Sequence, residues 1–185
     1  MSEPLDFVYS VKFLCGFMPP NPNLSPFPVP HLPTAEPPVK PGNYATAINI
    51  HNPQAERVVF CKKAVLSGFL SREGRRPEPE QVFLGPPPER RISVKLEPDA
   101  ALEIDCPDIL TLLEQAPLPV PIWQFLFVKG FVVIQSPQEL DVVAVYTGQG
   151  GQPDPAGTVP GRGDLTMDVE YITPKQIRGL PPCQS

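Results

Sequence analysis

An antiparallel all-β sandwich, jelly-roll-like and carrying one short helix, is the fold class this sequence predicts. Three observations predict it. Stretches of period-two alternation recur along the chain. Apolar residues make up 41% of it, enough to fill a core. Its 29 prolines divide 185 residues into short pieces. Alternation places every second side chain on one face of a strand, while proline is excluded from helix interiors and central strands. Many short strands joined by stiff turns are what remains.

The first strand runs from Phe7 to Cys15, with Phe7, Tyr9, Val11, Phe13 and Cys15 on one face and Val8, Ser10, Lys12 and Leu14 on the other. The segment 18–41 follows, with ten prolines, and reads as an extended polyproline-like linker. Such a linker frees the first strand from pairing beside the next one. Tyr44 to His51 alternates again. Asn52-Pro53-Gln54 signals a turn, and Arg57 to Leu66 completes an expected hairpin. Ser67 to Pro88 reads mostly as loop, with a short strand over Gln81–Leu84.

Arg90 to Leu96 alternates with Ile92, Val94 and Leu96 inward. Pro98-Asp99 turns the chain into a strand over Ala101–Cys106. A helix near 107–116 follows: Asp105 suits the N-cap, Pro107 the first turn, and Asp108 the positive end of the helix dipole. Ile109, Leu112 and Leu113 form its apolar stripe, and Pro117 ends it. Phe125 to Ser136 reads as a central strand with a bulge at Gly130. After Pro137-Gln138, Leu140 to Thr147 is expected to return beside it. Residues 148–163 are rich in glycine and proline, and Met167 to Ile172 is the last strand. The expected organisation is a strand at 1–17, a linker at 18–41, a body at 42–174 forming one domain with 7–17, and an irregular tail at 175–185.

Charge narrows the function classes. The net charge is −5, and a general nucleic-acid or anionic-membrane binder carries a basic footprint instead. No apolar run approaches the ~20 residues of a membrane span. The N-terminus lacks the basic and apolar regions of a signal peptide, so a cytoplasmic location is expected. There the four cysteines, Cys15, Cys61, Cys106 and Cys183, stay as thiols, three of them as small hydrophobes within apolar strand-like stretches, with a disulfide or metal role as the alternative.

Val132-Val133-Ile134-Gln135-Ser136, a proline turn and Leu140-Asp141-Val142-Val143-Ala144-Val145-Tyr146 resemble the strand–turn–strand of the bacterial sensory-rhodopsin-transducer family. Met18-Pro19-Pro20, the strand Ile48-Asn49-Ile50-His51-Asn52-Pro53 and a hairpin over Arg90–Asp105 are similar in order. The resemblance spans residues 7–147 and is specific only at the Ile-Gln-Ser hairpin. It implies a small β-sandwich that forms homo-oligomers and acts through protein contacts. The longer linker, the 67–88 loop and the C-terminal extension depart from the family, so a photoreceptor partner does not carry over.

Catalytic chemistry finds little support in the residues. Nucleophilic catalysis needs a nucleophile, a base and an orienting group. The two histidines are His31, in the linker, and His51, beside Asn49 and Asn52. A Cys61–His51 or Cys15–His51 pair would be the required arrangement. A hairpin-end histidine hydrogen-bonded to a turn is the preferred reading. Zinc would need about four Cys/His ligands at motif spacing, and neither a calcium loop nor a phosphate-binding glycine loop is present. Glu97, Asp99, Glu103, Asp105, Asp108 and Glu114 read as a solvated acidic face, and Arg162-Gly163-Asp164 as an ordinary turn. No metal, no cofactor and no enzyme activity are expected.

The leading expectation is a homo-oligomeric structural or adaptor protein whose partner is itself or another protein, with no nucleic acid and no membrane insertion. Phe7, Tyr9, Val11 and Phe13 are its candidate assembly residues, through exchange of the tethered first strand. Nine of the fifteen basic residues lie in 57–95, and six acids with no base lie in 97–114. That asymmetry offers complementary subunit surfaces unless the fold interleaves the two segments. A carbohydrate or small-ligand module is the alternative, with Trp123 as the stacking residue beside Tyr44, Tyr146 and Tyr171. A cupin-like enzyme comes third and lacks the histidine cluster it would need.

Overall fold

In sequence order, the computed structural model contains β1 (Leu5–Met18), β2 (Gly42–His51), β3 (Val58–Ser71), β4 (Ile92–Leu96), β5 (Ala101–Ile104), α1 (Cys106–Leu113), β6 (Phe125–Ser136), β7 (Asp141–Gly150), β8 (Leu165–Tyr171) and β9 (Lys175–Arg178). It describes residues 5–18, 42–72, 82–86, 90–150, 165–181 and 183. The linker 19–41 and His31, Gln81 and the Arg162-Gly163-Asp164 tripeptide lie outside the described residues.

The strands form two sheets joined at one corner. Sheet one runs β4-β3-β6-β1, with β9 on the free edge of β1's first half. Sheet two runs β2-β7-β8, with β5 on the edge of β2's second half. Among the described residues, the one ladder the two share is the register Gly16↔Tyr44, Phe17↔Asn43 and Met18↔Gly42. Every pairing is antiparallel. The sequence expectation of an all-β sandwich with one short helix is met.

The core lies between the sheets. Tyr9, Val11 and Phe13 of β1 and Phe60, Val132 and Ile134 of β3 and β6 face Ile48, Ile50, Ile104, Val142 and Ala144 of sheet two. The helix closes one side with Ile109, Leu112 and Leu113, all buried. Its start follows the sequence reading. The Asp105 carboxylate accepts from the Asp108 N–H at 3.1 Å and the Asp108 carboxylate accepts from the Asp105 N–H at 3.4 Å, a reciprocal capping box.

Three expected hairpins do not form. β2 pairs with β1, β5 and β7, not β3. β4 pairs with β3 while β5 pairs with β2. β6 pairs with β1 and β3 while β7 pairs with β2 and β8. Each short turn carries the chain from one sheet to the other, as corners of a sandwich do. Asn52 ties two of these crossings together. Fully buried, it donates through Nδ2 to the carbonyls of Glu56, Leu96 and Glu97 at 2.9–3.1 Å and accepts from the Gln54 N–H at 3.0 Å.

Other boundaries moved as well. β3 continues through Ser71, past the expected loop start at Ser67, by way of an irregularity between Leu66 and Gly68. The bulge therefore sits on β3, opposite Gly130 rather than at it. Gly130 is needed because a Cβ there would strike the Val65 carbonyl oxygen and the Phe13 ring. Residues 82–86 form no strand.

The cysteines correct the reading of free thiols. Cys15 is bonded to Cys106 and Cys61 to Cys183, with Cα atoms 5.7 and 5.6 Å apart. Separations of 91 and 122 residues gave no spacing motif to read. The first bridge pins α1 to β1, and the second pins the C-terminal tail to β3.

Two measurements follow from these ties. Urea unfolding of a Cys15→Ser/Cys106→Ser variant should show a loss of about 2–4 kcal/mol, as expected for opening a long loop. Asn52→Ala should cost about 2–4 kcal/mol in the same assay, because it strips partners from several buried carbonyls. An unchanged midpoint in either variant would contradict the role given to it.

Candidate functional site

The proposed assembly strand is internal to its own chain. Tyr9, Val11 and Phe13 are wholly buried and Phe7 packs against the core, while β1 lies between β6 on one side and β2 and β9 on the other. Tyr9 also fastens the sheets: its hydroxyl donates to the Leu140 carbonyl at 2.9 Å and accepts from the Leu140 N–H at 2.7 Å. Burial pushes its phenol up, against the lowering effect of the Leu140 N–H that donates to it.

The aromatic platform is dispersed. Tyr44 and Tyr146 line one hollow of about 160 Å³ beside β8. Tyr171 projects from β8, and Trp123 stands 68% exposed in a 3₁₀ turn at Ile122–Gln124. Trp123 lines neither that hollow nor the one beneath the C-terminal tail.

His51 sits at the rim of sheet two's outer face. Its Nδ1 lies 3.0 Å from Asp141 Oδ2 and its Nε2 lies 3.2 Å from Asp99 Oδ1. Hydrogen bonding to Asp141 first, then to Asp99, raises its pKa above the ordinary value. The carboxylates engage opposite ring nitrogens, so they cannot converge with the ring on one metal ion. Among the described residues no group of three or more His, Cys, Asp or Glu side chains has metal-binding geometry. Cys61 and Cys15 are bonded elsewhere, so neither is paired with His51 as a thiolate would be.

A different surface emerges from the register. In an antiparallel ladder, directly opposed residues share a face. On β8, Leu165, Met167, Val169 and Tyr171 oppose Gln149, Thr147, Val145 and Val143 of β7. Since Val142 and Ala144 point into the core, the apolar residues of β8 point away from it. They are 70, 68, 48 and 82% exposed. The polar residues point the other way: Glu170 accepts from the Tyr146 hydroxyl at 3.1 Å, and Thr166 donates to the Gly148 carbonyl at 3.0 Å. A sandwich strand ordinarily turns its apolar side inward, and β8 is reversed.

The rest of that face continues the pattern. Ala45 and Ala47 of β2 oppose Thr147 and Val145. Charge appears only toward the rim, at Glu103, His51 and Asp141. No described strand pairs with the outer edge of β8. An uncharged apolar centre within a charged rim is the composition of a protein contact surface. The sequence showed the alternation of Met167, Val169 and Tyr171, but only strand pairing says which side meets the core.

No family model matches this chain, and neither the curated proteins nor the solved structures include a match.

The His51 arrangement is testable by titration. A folded-state pKa raised above about 6.5 means the His51 contribution to stability is complete below that value. It is lost as pH rises through the folded pKa. NMR titration of the imidazole should report a midpoint above 6.5, and Asp141→Asn should lower it more than Asp99→Asn. A midpoint at the ordinary value would show that the two contacts do not hold in solution.

Proposed function

We propose that this chain is a non-enzymatic structural or adaptor protein that works by assembling with copies of itself through the outer face of sheet two. The single observation that carries this reading is the reversed polarity of β8. Four large apolar side chains in water are unfavourable, at about 25 cal/mol per Å² of apolar surface left uncovered. Stacking the same face of a second copy against them removes that cost.

A second copy is the occupant that the surface favours. Two-fold stacking needs nothing beyond this chain. Like charges do not meet at the centre, because the charged residues lie at the rim. The strands β5, β2, β7 and β8, of four, ten, ten and seven residues, at about 3.3 Å per residue and about 4.8 Å per strand give roughly 500 Å² of projected face, against the about 800 Å² per partner of a standard interface. Side-chain relief adds to that figure.

The compartment proposed for this activity is an oxidising one. Both disulfides use up the cysteine complement, and such bonds persist where glutathione and thioredoxin do not reduce them. No helix among the described residues is long and apolar enough to cross a membrane.

Light scattering on the oxidised full chain tests the assembly. Twice the 20.3 kDa chain mass is expected, falling to one chain mass in Val169→Glu with an unchanged circular dichroism spectrum. A wild-type monomer at all concentrations would overturn the proposal. So would a dimer that keeps its mass in both Val169→Glu and Met167→Glu.

A further inference from the structure

The outer face of sheet one has the opposite character. Register places Lys12, Lys63, Lys95, Lys129 and Lys175 on it, with Arg91 just ahead of β4. Among the described residues Asp6 is the one acid on that face. The acids of 97–114 lie on the β4–β5 turn, β5 and the helix, off that face. They meet the basic segment elsewhere, where Arg57 pairs with Glu97 at 2.6 Å and Asp108 acts on Lys62. The outer face of sheet one is thus cationic although the chain's net charge is −5.

Within it, beneath the C-terminal tail held by the Cys61–Cys183 bridge, lies a hollow of about 140 Å³. Its polar lining is Lys63, Arg91 and Gln135, and its apolar lining includes Val133, Ile177 and Leu180. The volume exceeds the share of a single water, about 30 Å³.

Donors outnumber acceptors there. Arg91 Nη1 donates to Gln135 Oε1 at 2.7 Å. Gln135 Nε2 donates in turn to Asp6 Oδ2 at 3.2 Å and to the Pro181 carbonyl at 3.0 Å. An amide therefore stands between Asp6 and the guanidinium. Arg91 Nε and Ser93 Oγ are buried without a hydrogen-bond partner. Among the described residues no carboxylate pairs with Lys63 or Arg91. Burial, and then the charge of Arg91, push the Lys63 ammonium down from its ordinary value. Unpaired buried donors are costly, and an oxyanion between the two cations would give Arg91, which lines the hollow, a further acceptor. Arginine beside lysine is the combination that holds carboxylate and phosphate groups.

We propose that this hollow binds an organic oxyanion, a carboxylate or a phosphate ester bearing a short apolar chain. Lys63 and Arg91 hold the head group, and Val133, Ile177 and Leu180 cover the chain. The site is independent of the assembly surface on sheet two.

Calorimetry on the oxidised full chain tests it, with hexanoate, hexyl phosphate, inorganic phosphate and hexanol as probes. At least one of the two amphiphilic anions should bind ten-fold or more tightly than hexanol, and the tighter of the two identifies the head group. Arg91→Gln and Lys63→Gln should each weaken it at least ten-fold. Lys63→Arg should stay near wild type, and Lys12→Gln, on the same face but outside the hollow, should stay within two-fold. Thermal melting of each variant establishes that it is folded. Absence of binding by both amphiphilic anions would overturn the proposal, as would hexanol binding equally well. Unchanged affinity in folded Arg91→Gln would do the same. Inorganic phosphate matching hexyl phosphate would overturn the apolar half of the site.

Discussion

The parting of β1 and β2 is the constraint on which the rest of the molecule depends. They share a ladder for three residue pairs and then separate, one into each sheet. Separation strands polar groups: the Leu14 N–H and C=O no longer meet backbone on that edge. The Thr46 hydroxyl takes both, accepting from the N–H at 3.0 Å and donating to the carbonyl at 3.1 Å. The Cys15–Cys106 bridge brings sulfur into the opened wedge, where Cys106 Sγ accepts from the Thr46 N–H at 3.3 Å. Gly16 supplies the turn of the backbone, with φ +106, a value that L side chains rarely adopt. Without this corner the strands would form one flat sheet, and neither core face would be covered.

Once the corner is set, the crossings follow from it. Strands on either side of a short turn belong to opposite sheets, so the turn's backbone cannot be satisfied by a hairpin ladder. Side chains take over that work. Tyr9 supplies a donor and an acceptor to Leu140, where the chain enters β7. Asn52 does the same for the paired crossings near Glu56 and Glu97. These are buried polar groups with full complements of partners, the condition under which such groups specify one arrangement instead of weakening it. Their placement at crossings, away from the middles of strands, keeps the inter-sheet space apolar.

This division also decides what the sequence made legible. The strands of β1, β2, β4 and β6, the faces of Tyr9, Val11 and Phe13, and the capping box at Asp105 were readable, because each depends on residues only a few positions apart. Pairing was not. Pro137-Gln138 looks like a hairpin turn whether the chain returns in the same sheet or crosses to the other, since both need a tight reversal. Asn52 reads as a turn residue, and nothing nearby announces that its amide reaches Leu96. The disulfides join strands distant in sequence. The face of β8 was half legible: alternation separates Met167, Val169 and Tyr171 from Asp168 and Glu170, and the ordinary inference sends the apolar set inward. Strand pairing with β7 reverses it.

The reversal has a structural reason that bears on function. β8 lies beyond the edge of the core, for its inward residues Thr166, Asp168 and Glu170 are all exposed and meet Gly148 and Tyr146 at the margin of the sandwich. A strand there gains nothing by turning apolar residues inward, because no opposing strand among the described residues covers them. Its polar side is accommodated by solvent and by the Tyr146 hydroxyl, whose phenol burial and Glu170 drive upward. Its apolar side extends the surface that Val143, Val145, Ala45 and Ala47 begin. β8 therefore adds little to the core while enlarging one outer face. On sheet one the added material does the contrary. β9 and the tail cover part of that face, hold it with a disulfide, and leave cations around a hollow. One sandwich thus presents a face that is apolar at its centre and a face that is cationic, and the thickness of the core keeps the two apart.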